Sequence, residues 1–437
     1  MKKQPILISL LLICCLIVGC PGMQLKAQQS GKRIPVAEAI NKHAQLKASD
    51  YFQSVEYIPL EFTDKCPISG KPIVRLLKDR ILIFSPAVQQ CYLFNRSTGR
   101  FIASVGHVGN DPEGASELSC WVDYDKSTIY IKGWKDILQI YNSNGVYQGR
   151  LRIPDHSFFR PENDFMFLPG NRVVQYFCRA DQKKQYLKFF ANGSTQKEIP
   201  LPLGDTIAPT IKDIHLINVI SGDYSGEEDE EYGVRYFTPR NVYTTSQMYS
   251  KKEGLVSMNT YSPCLWQTGR NYYFKEPYND TIFEVGNPLL QPAYVLDMGK
   301  LHWDKQDRFK QKKDRSIFVT NILDSKNFLL VSCVMHPYEY RPFESYNVVW
   351  NKKTGAIDAA PLKDGFVNDI HPFMDIHPLS ASPEGDVADL IPAEKILTWF
   401  DENKSAQLPA SLKKLKSLKE DDNPVVVILK GQTTSSR

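Results

Sequence analysis

Short apolar runs, each followed by a turn rich in Asn and Gly, recur along the chain and predict an all-β body. Four turn segments align: Tyr92-Leu-Phe-Asn-Arg-Ser-Thr-Gly99, Ile140-Tyr-Asn-Ser-Asn-Gly145, Phe189-Phe-Ala-Asn-Gly193 and Val349-Trp-Asn-Lys-Lys-Thr-Gly355. Each reads as strand, turn, strand, because Asn and Gly best tolerate the positive φ of a tight hairpin. Ahead of each lies another apolar segment, at Arg80–Phe84, Thr128–Lys132, Arg172–Phe177 and Phe328–Val334. The turn asparagines Asn95, Asn142 and Asn192 are spaced by 47 and 50 residues, and Asn351 follows 159 later, close to three more periods. A four-stranded unit repeated at such a period predicts a β-propeller.

A further hairpin is predicted from Asn271 to Val285. Residues 205–260 break the period with a polar stretch containing Glu227–Glu231, read as an insertion between blades, with a degenerate extra blade as the alternative. The acidic run lacks EF-hand spacing and reads as a solvated loop. Two short helices are expected at Pro392–Glu402 and Ser411–Lys419. The apolar run Pro424–Leu429 then returns as a strand, and Ser54–Leu60 is predicted to pair with it and close the ring, removing an exposed seam.

The first twenty residues have a different pattern. Lys2 and Lys3 precede an apolar run from Ile6 to Val18, too short to span a bilayer as a mature helix. It ends in Ile17-Val18-Gly19-Cys20, which resembles a lipobox. The resemblance implies that residues 1–19 leave as a signal peptide and that Cys20 carries lipid. The alternative is an ordinary cleavage near Ala27, which Leu25 disfavours. Residues 20–50 are then a lipidated N-terminus and tether, 51–430 the propeller and 431–437 a tail. Pro21-Gly22-Met23-Gln24 lacks the acidic cluster of a surface-export signal, so a periplasm-facing envelope location is expected.

Composition narrows the partners. Loss of the leader lysines lowers the formal charge from +4 to +2, with 51 basic and 49 acidic side chains remaining. Nucleic acid is not an expected partner, since phosphate binding needs a concentrated basic face. The 22 Tyr, 22 Phe and six Trp suit pleated surfaces. Cys66, Cys91, Cys120, Cys178, Cys264 and Cys333 show no C-x-x-C or zinc spacing, and most are expected to be small buried hydrophobes.

Several segments resemble the six-bladed β-propeller lipoproteins of Bacteroidetes, related to NHL-repeat propellers. They are Leu46–Glu61, the glycine-bearing link Phe101–Glu113, Asn279–Val285 and Asn423–Leu429. The resemblance implies six blades, although a count of seven stays open from the residues themselves. Asn110-Asp111 and Ala115-Ser116 depart from the family's link. The family supplies a fold and an anchor and no reaction.

Candidate chemistry is sparse. Asp369-Ile-His371-Pro372 and Asp375-Ile-His377-Pro378 place His371, Asp375 and His377 as a conceivable divalent-metal set, against the bland reading that both His-Pro pairs end strands or sit in loops. No cofactor is otherwise expected. Gly106-x-x-Gly109 lacks the Lys-Ser/Thr of a phosphate loop, and no G-x-S-x-G elbow is present. Trp121, Trp134, Trp266 and Trp350 are candidate platforms for stacking on sugars, or else packing between sheets.

The expected function is a non-catalytic binding or scaffold module, anchored to a membrane by lipid and presenting a propeller to a protein, peptide or glycan. The alternative is an enzyme with a metal-assisted hydrolase or lyase site in the propeller channel. A third reading is a structural subunit of an envelope complex. The first two separate on whether carboxylates and histidines converge in the channel.

Overall fold

The structure, a computed structural model, describes residues 31–69, 72–153, 165–179, 184–201, 214–221, 244–250, 254–261, 264–286, 290–304, 315–335 and 344–431. The proposed leader, lipobox and Cys20, the run Glu227–Glu231 and the tail after Gly431 lie outside them.

Six blades, each with four antiparallel strands, form the ring, and one of them carries a fifth, parallel strand at its outer edge. Blade one holds Ile73–Leu76, Arg80–Ser85, Gln90–Asn95 and Phe101–Ser104, and blade two Cys120–Asp123, Thr128–Lys132, Ile137–Tyr141 and Tyr147–Arg152. Blade three holds Phe165–Leu168, Arg172–Arg179, Lys184–Ala191 and Ser194–Pro200, and blade four Leu265–Thr268, Asn271–Lys275, Thr281–Val285 and Leu290–Leu296. Blade five holds Ile317–Asp324, Phe328–Met335, Ser345–Asn351 and Ile357–Pro361. Blade six takes Ser380–Ala381, Val387–Ile391 and Val425–Gly431, and completes itself with Phe52–Pro59, where Val55 lies opposite Leu429. The first and last blade strands thus close the ring, as the sequence predicts.

Blades stack face to face, so both faces of a middle strand are covered. That is why Phe328–Met335 and Val425–Leu429 are buried at every position, whereas the outer strand Tyr147–Arg152 alternates half-buried and exposed. Each fully buried large apolar side chain contributes about 1.5–3 kcal/mol.

The repeated asparagine has a local cause. Asn95 Oδ1 accepts the backbone N–H groups of Ser97 and Thr98, Asn142 Oδ1 those of Asn144 and Val146, and Asn351 Oδ1 those of Lys353 and Thr354, all at 3.0 Å. Each turn joins the third strand of a blade to the fourth and ends on a glycine of positive φ, Gly99, Gly145 and Gly355. At Gly99 a Cβ would also lie 1.9 Å from the carbonyl oxygen of Pro59, so this glycine lets blade one meet the closing strand.

Ile214–Ser221, Thr244–Ser250 and Gly254–Tyr261 form a separate three-stranded sheet. It is no seventh member of the ring, because blades three and four pack directly on each other in one core that includes Met166, Leu168, Tyr176, Leu265 and Phe274. The expected helices are Ala393–Glu402 and Ala410–Lys413, the latter continued as a tighter turn through Ser417. Ala393, Ile396 and Phe400 share the buried face of the first, and Pro392 precedes its start.

Residues 31–50, expected within the tether, are built onto the rim. Lys32–Ile34 pairs in parallel with Tyr294–Leu296 at the outer edge of blade four. Helix Val36–Ile40 then packs into the core between blades four and five, and Leu46 and Ala48 enter the core of blade six. The sequence understates this strap because its strand is three residues long and its partner lies far along the chain.

Candidate functional site

The six innermost strands line a central cavity of about 140 Å³. One end is crossed by bonds between non-adjacent blades. Gly269 N–H of blade four donates to Pro383 O of blade six at 2.7 Å. Gln267 Nε2 and Tyr272 Oη of blade four donate to the Asp125 carboxylate of blade two, at 3.0 and 2.9 Å.

The cavity's only acidic lining residue among those described is Asp324, which is 2% exposed. Its carboxylate accepts from Thr268 Oγ1 at 2.9 Å and Trp266 Nε1 at 3.1 Å, and pairs closely with Lys352 Nζ. Arg75 lies on blade one with Nη1–H donating to its neighbour's carbonyl, Val74 O, and with its guanidinium 5.9 Å from the Phe84 ring centroid. No described carboxylate lies within ion-pair distance of it. Burial raises the pKa of the nearby Tyr124 hydroxyl, an effect that Arg75 opposes and Glu384 reinforces.

Three residues that contribute to the lining each carry a buried side-chain polar atom, shut off from the cavity, that has no hydrogen-bond partner: Trp121 Nε1, Asn321 Nδ2 and Ser380 Oγ. Their residues are 5%, 2% and 5% exposed. Asn321 Oδ1 accepts the Ile322 N–H at 2.9 Å. Blade three contributes Phe165, Met166 and Phe167, and Leu265 and Trp266 of blade four continue this apolar side.

Of the tryptophans singled out in the sequence, Trp121 and Trp266 line the channel. Trp134 is exposed on blade two, with Nε1 donating to Gly109 O at 2.6 Å, and Trp350 is buried between blades four and five against Tyr294. Arg75, Asn321 and Ser380 were not legible as site residues, since a single polar residue in a short strand gives no signal until six strands converge.

His371, Asp375 and His377 are not brought together, and no three His, Cys, Asp or Glu side chains among the described residues gather as a metal site. His371 leans on Tyr57, while His377 packs against Gly365, whose φ of 60° and lack of Cβ admit the imidazole. Burial, helped by Lys395, pushes the His377 pKa down to about 4, against a smaller opposing pull from Asp364. Asp369, from the same segment, instead binds Ser49 of the strap at 2.9 Å. Cys66, Cys91, Cys120, Cys264 and Cys333 are buried, and burial raises the Cys333 thiol to about 12. The side chain of Cys178 lies outside those described.

The shared-domain comparison is decisive for the family: a domain of unknown function, DUF4934, matches residues 31–430. The chain belongs to the DUF4934 family. The DUF4934 region thus begins at the rim strap and ends on the closing strand. Among solved structures, a Bacteroides fragilis protein named for its expected export superposes with a TM-score of 0.58 at 15% identity, over 92% of this chain and 99% of that one. The propeller fold is therefore shared. The WD40 repeats of RRP9 give a TM-score of 0.37 at 10% identity, over 89% of this chain and 99% of that one. No curated protein matches the sequence. No helix among the described residues is long and apolar enough to cross a membrane.

Proposed function

We propose that this DUF4934 chain is an exported, lipid-anchored binding or scaffold module of the cell envelope, facing the periplasm and engaging a protein, peptide or glycan without catalysing a reaction on it. The channel lining carries this reading. Its one described carboxylate, Asp324, is engaged by three donors, and no described imidazole accompanies it. Such a lining suits holding a guest better than moving its protons, which needs an acid or base within reach of the reacting atom.

Anchoring rests on the lipobox at Cys20. With the strap starting at Gly31, the stretch between lipid and propeller is residues 21–30, about 35 Å when fully extended. The propeller would then hang by its rim at blade four and stay close to the bilayer. A lipid set on one cysteine anchors firmly only when it carries more than one chain.

The test is affinity purification from membranes with the anchor intact, beside a Cys20→Ala variant. The wild type is expected in the membrane fraction with a co-purifying partner, and the variant in the soluble fraction. Recovery of wild type without any partner, or membrane retention of the variant, would overturn the proposal.

A further inference from the structure

We infer that Cys91 and Cys120 are a disulfide-forming pair, which in an oxidising compartment staples blade one to blade two. The compartment is the one that the export reading above supplies, whereas the pairing itself rests on geometry.

Cys91 lies on the third strand of blade one, opposite Phe84, and Cys120 on the innermost strand of blade two, opposite Ile131. Their Sγ atoms are in contact at 3.4 Å across the junction of the two blades. Cys66, Cys264 and Cys333 each belong to a different core, whereas Cys91 and Cys120 share the one between blades one and two. Both backbones are held by strand pairing, and Cys91 O also accepts the Val105 N–H at 2.9 Å. A disulfide needs its sulfurs at about 2.05 Å, so a small turn at each χ1 closes the gap while the sheets stay where they are.

Burial decides when the bond is made. Cys91 is 2% exposed and Cys120 5%, in a core with Leu93, Val105, Leu118 and Ile131. An oxidant cannot reach them once the blades have packed, so the bond forms as the chain folds, and the same core then shields it from reductant. The two cysteines are 29 residues apart and can meet before the ring closes. The chemistry is thiol–disulfide exchange with an oxidant that itself carries a disulfide. One cysteine thiolate attacks the oxidant's S–S bond, which gives a mixed disulfide and releases one oxidant thiol. The second thiolate attacks the cysteine sulfur of that mixed disulfide, forms the bond between Cys91 and Cys120 and expels the second oxidant thiol. The two protons and two electrons lost by the cysteines end on the two oxidant thiols. Such bonds persist in the periplasm and are rare in a reducing cytosol.

The experiment is peptide mapping without reductant. One sample of the mature chain is taken from the cell envelope, and a second is unfolded, reduced and refolded with reduced and oxidised glutathione. Each is then unfolded in urea with excess iodoacetamide and cut with trypsin, which places Cys91 alone in Ile81–Arg96 and Cys120 alone in Phe101–Lys126. Both samples are expected to yield these two peptides joined, lighter by two hydrogens than their sum. Both peptides alkylated in the refolded chain, or either joined there to a different cysteine, overturns the inference. The joined pair after refolding, with both peptides alkylated in the envelope sample, supports the pairing and rejects the oxidising compartment, so the export reading fails separately. The oxidised chain should melt about 3–6 °C above the reduced one, and Cys91→Ala should remove that dependence on reductant. Equal melting temperatures of the two forms overturn the staple. If Cys91→Ala fails to fold, the peptide map and the melting of the wild type still decide.

Discussion

The backbone N–H of Gly269 meets the carbonyl oxygen of Pro383 at 2.7 Å although a whole blade stands between them. Together with the two bonds from Gln267 and Tyr272 to Asp125, it ties blades two, four and six to one another across the axis. Alternate blades are thus coupled directly, in addition to the packing that joins neighbours. The channel is stiffened at that end.

Removing the cross-axis bonds should loosen the ring. Tyr272→Phe and Gln267→Ala are each expected to cost about 1 kcal/mol in urea unfolding. The double variant should lose less than the sum, because both donors serve the one carboxylate of Asp125.

Asp324 is the charged centre of the lining. Asp324→Asn leaves Lys352, whose side chain is 16% exposed, without its counter-charge, and should cost about 3–5 kcal/mol. Replacing both residues, as Asp324→Asn with Lys352→Met, should recover part of that loss. Denaturant midpoints of the three chains decide the matter.

His377 makes stability depend on pH. Its folded pKa of about 4 lies below the ordinary value of 6.5, so the unfolded chain binds the proton more readily. The fold is fully stable above pH 6.5 on this account, loses stability as pH falls below it, and levels off near pH 4. The loss is about 2–3 kcal/mol after allowance for the partly exposed ring. His377→Gln should flatten that segment of the stability curve measured between pH 4 and 7.

Trimming the strap should expose a sheet edge. A chain starting at His43 lacks Lys32–Ile34 and the helix Val36–Ile40, uncovering the outer strand of blade four and the apolar contacts of Ile34, Val36 and Ile40. Lower melting temperature and concentration-dependent self-association in size-exclusion chromatography are expected.

The repeat was legible because its cause is local: one asparagine organises the turn two to four residues ahead of it, and the spacing survives in the sequence. Middle strands were legible because burial on both faces writes a continuous apolar run. The innermost strands were harder. Ser380–Ala381 is two residues long, and Cys120–Asp123 four, so neither shows a period. Site chemistry assembled from one short strand per blade cannot be read before the ring closes. Trp121 and Trp266 stood out only because tryptophan is rare.

The closing strand sets the order of events at birth. Phe52–Pro59 is the first blade strand synthesised, and its partner Val425–Gly431 is the last. Asn423, whose amide bonds to Glu61 O at 2.7 Å, lies 362 residues downstream of it. Blades one to five can assemble as they emerge, but the sixth has to wait, holding an unpaired apolar strand at the front of the chain until the last residues arrive. The ring can latch only once Val425–Gly431 has been made, so a truncation that removes this strand leaves blade six without the partner of Phe52–Pro59 and the ring ajar.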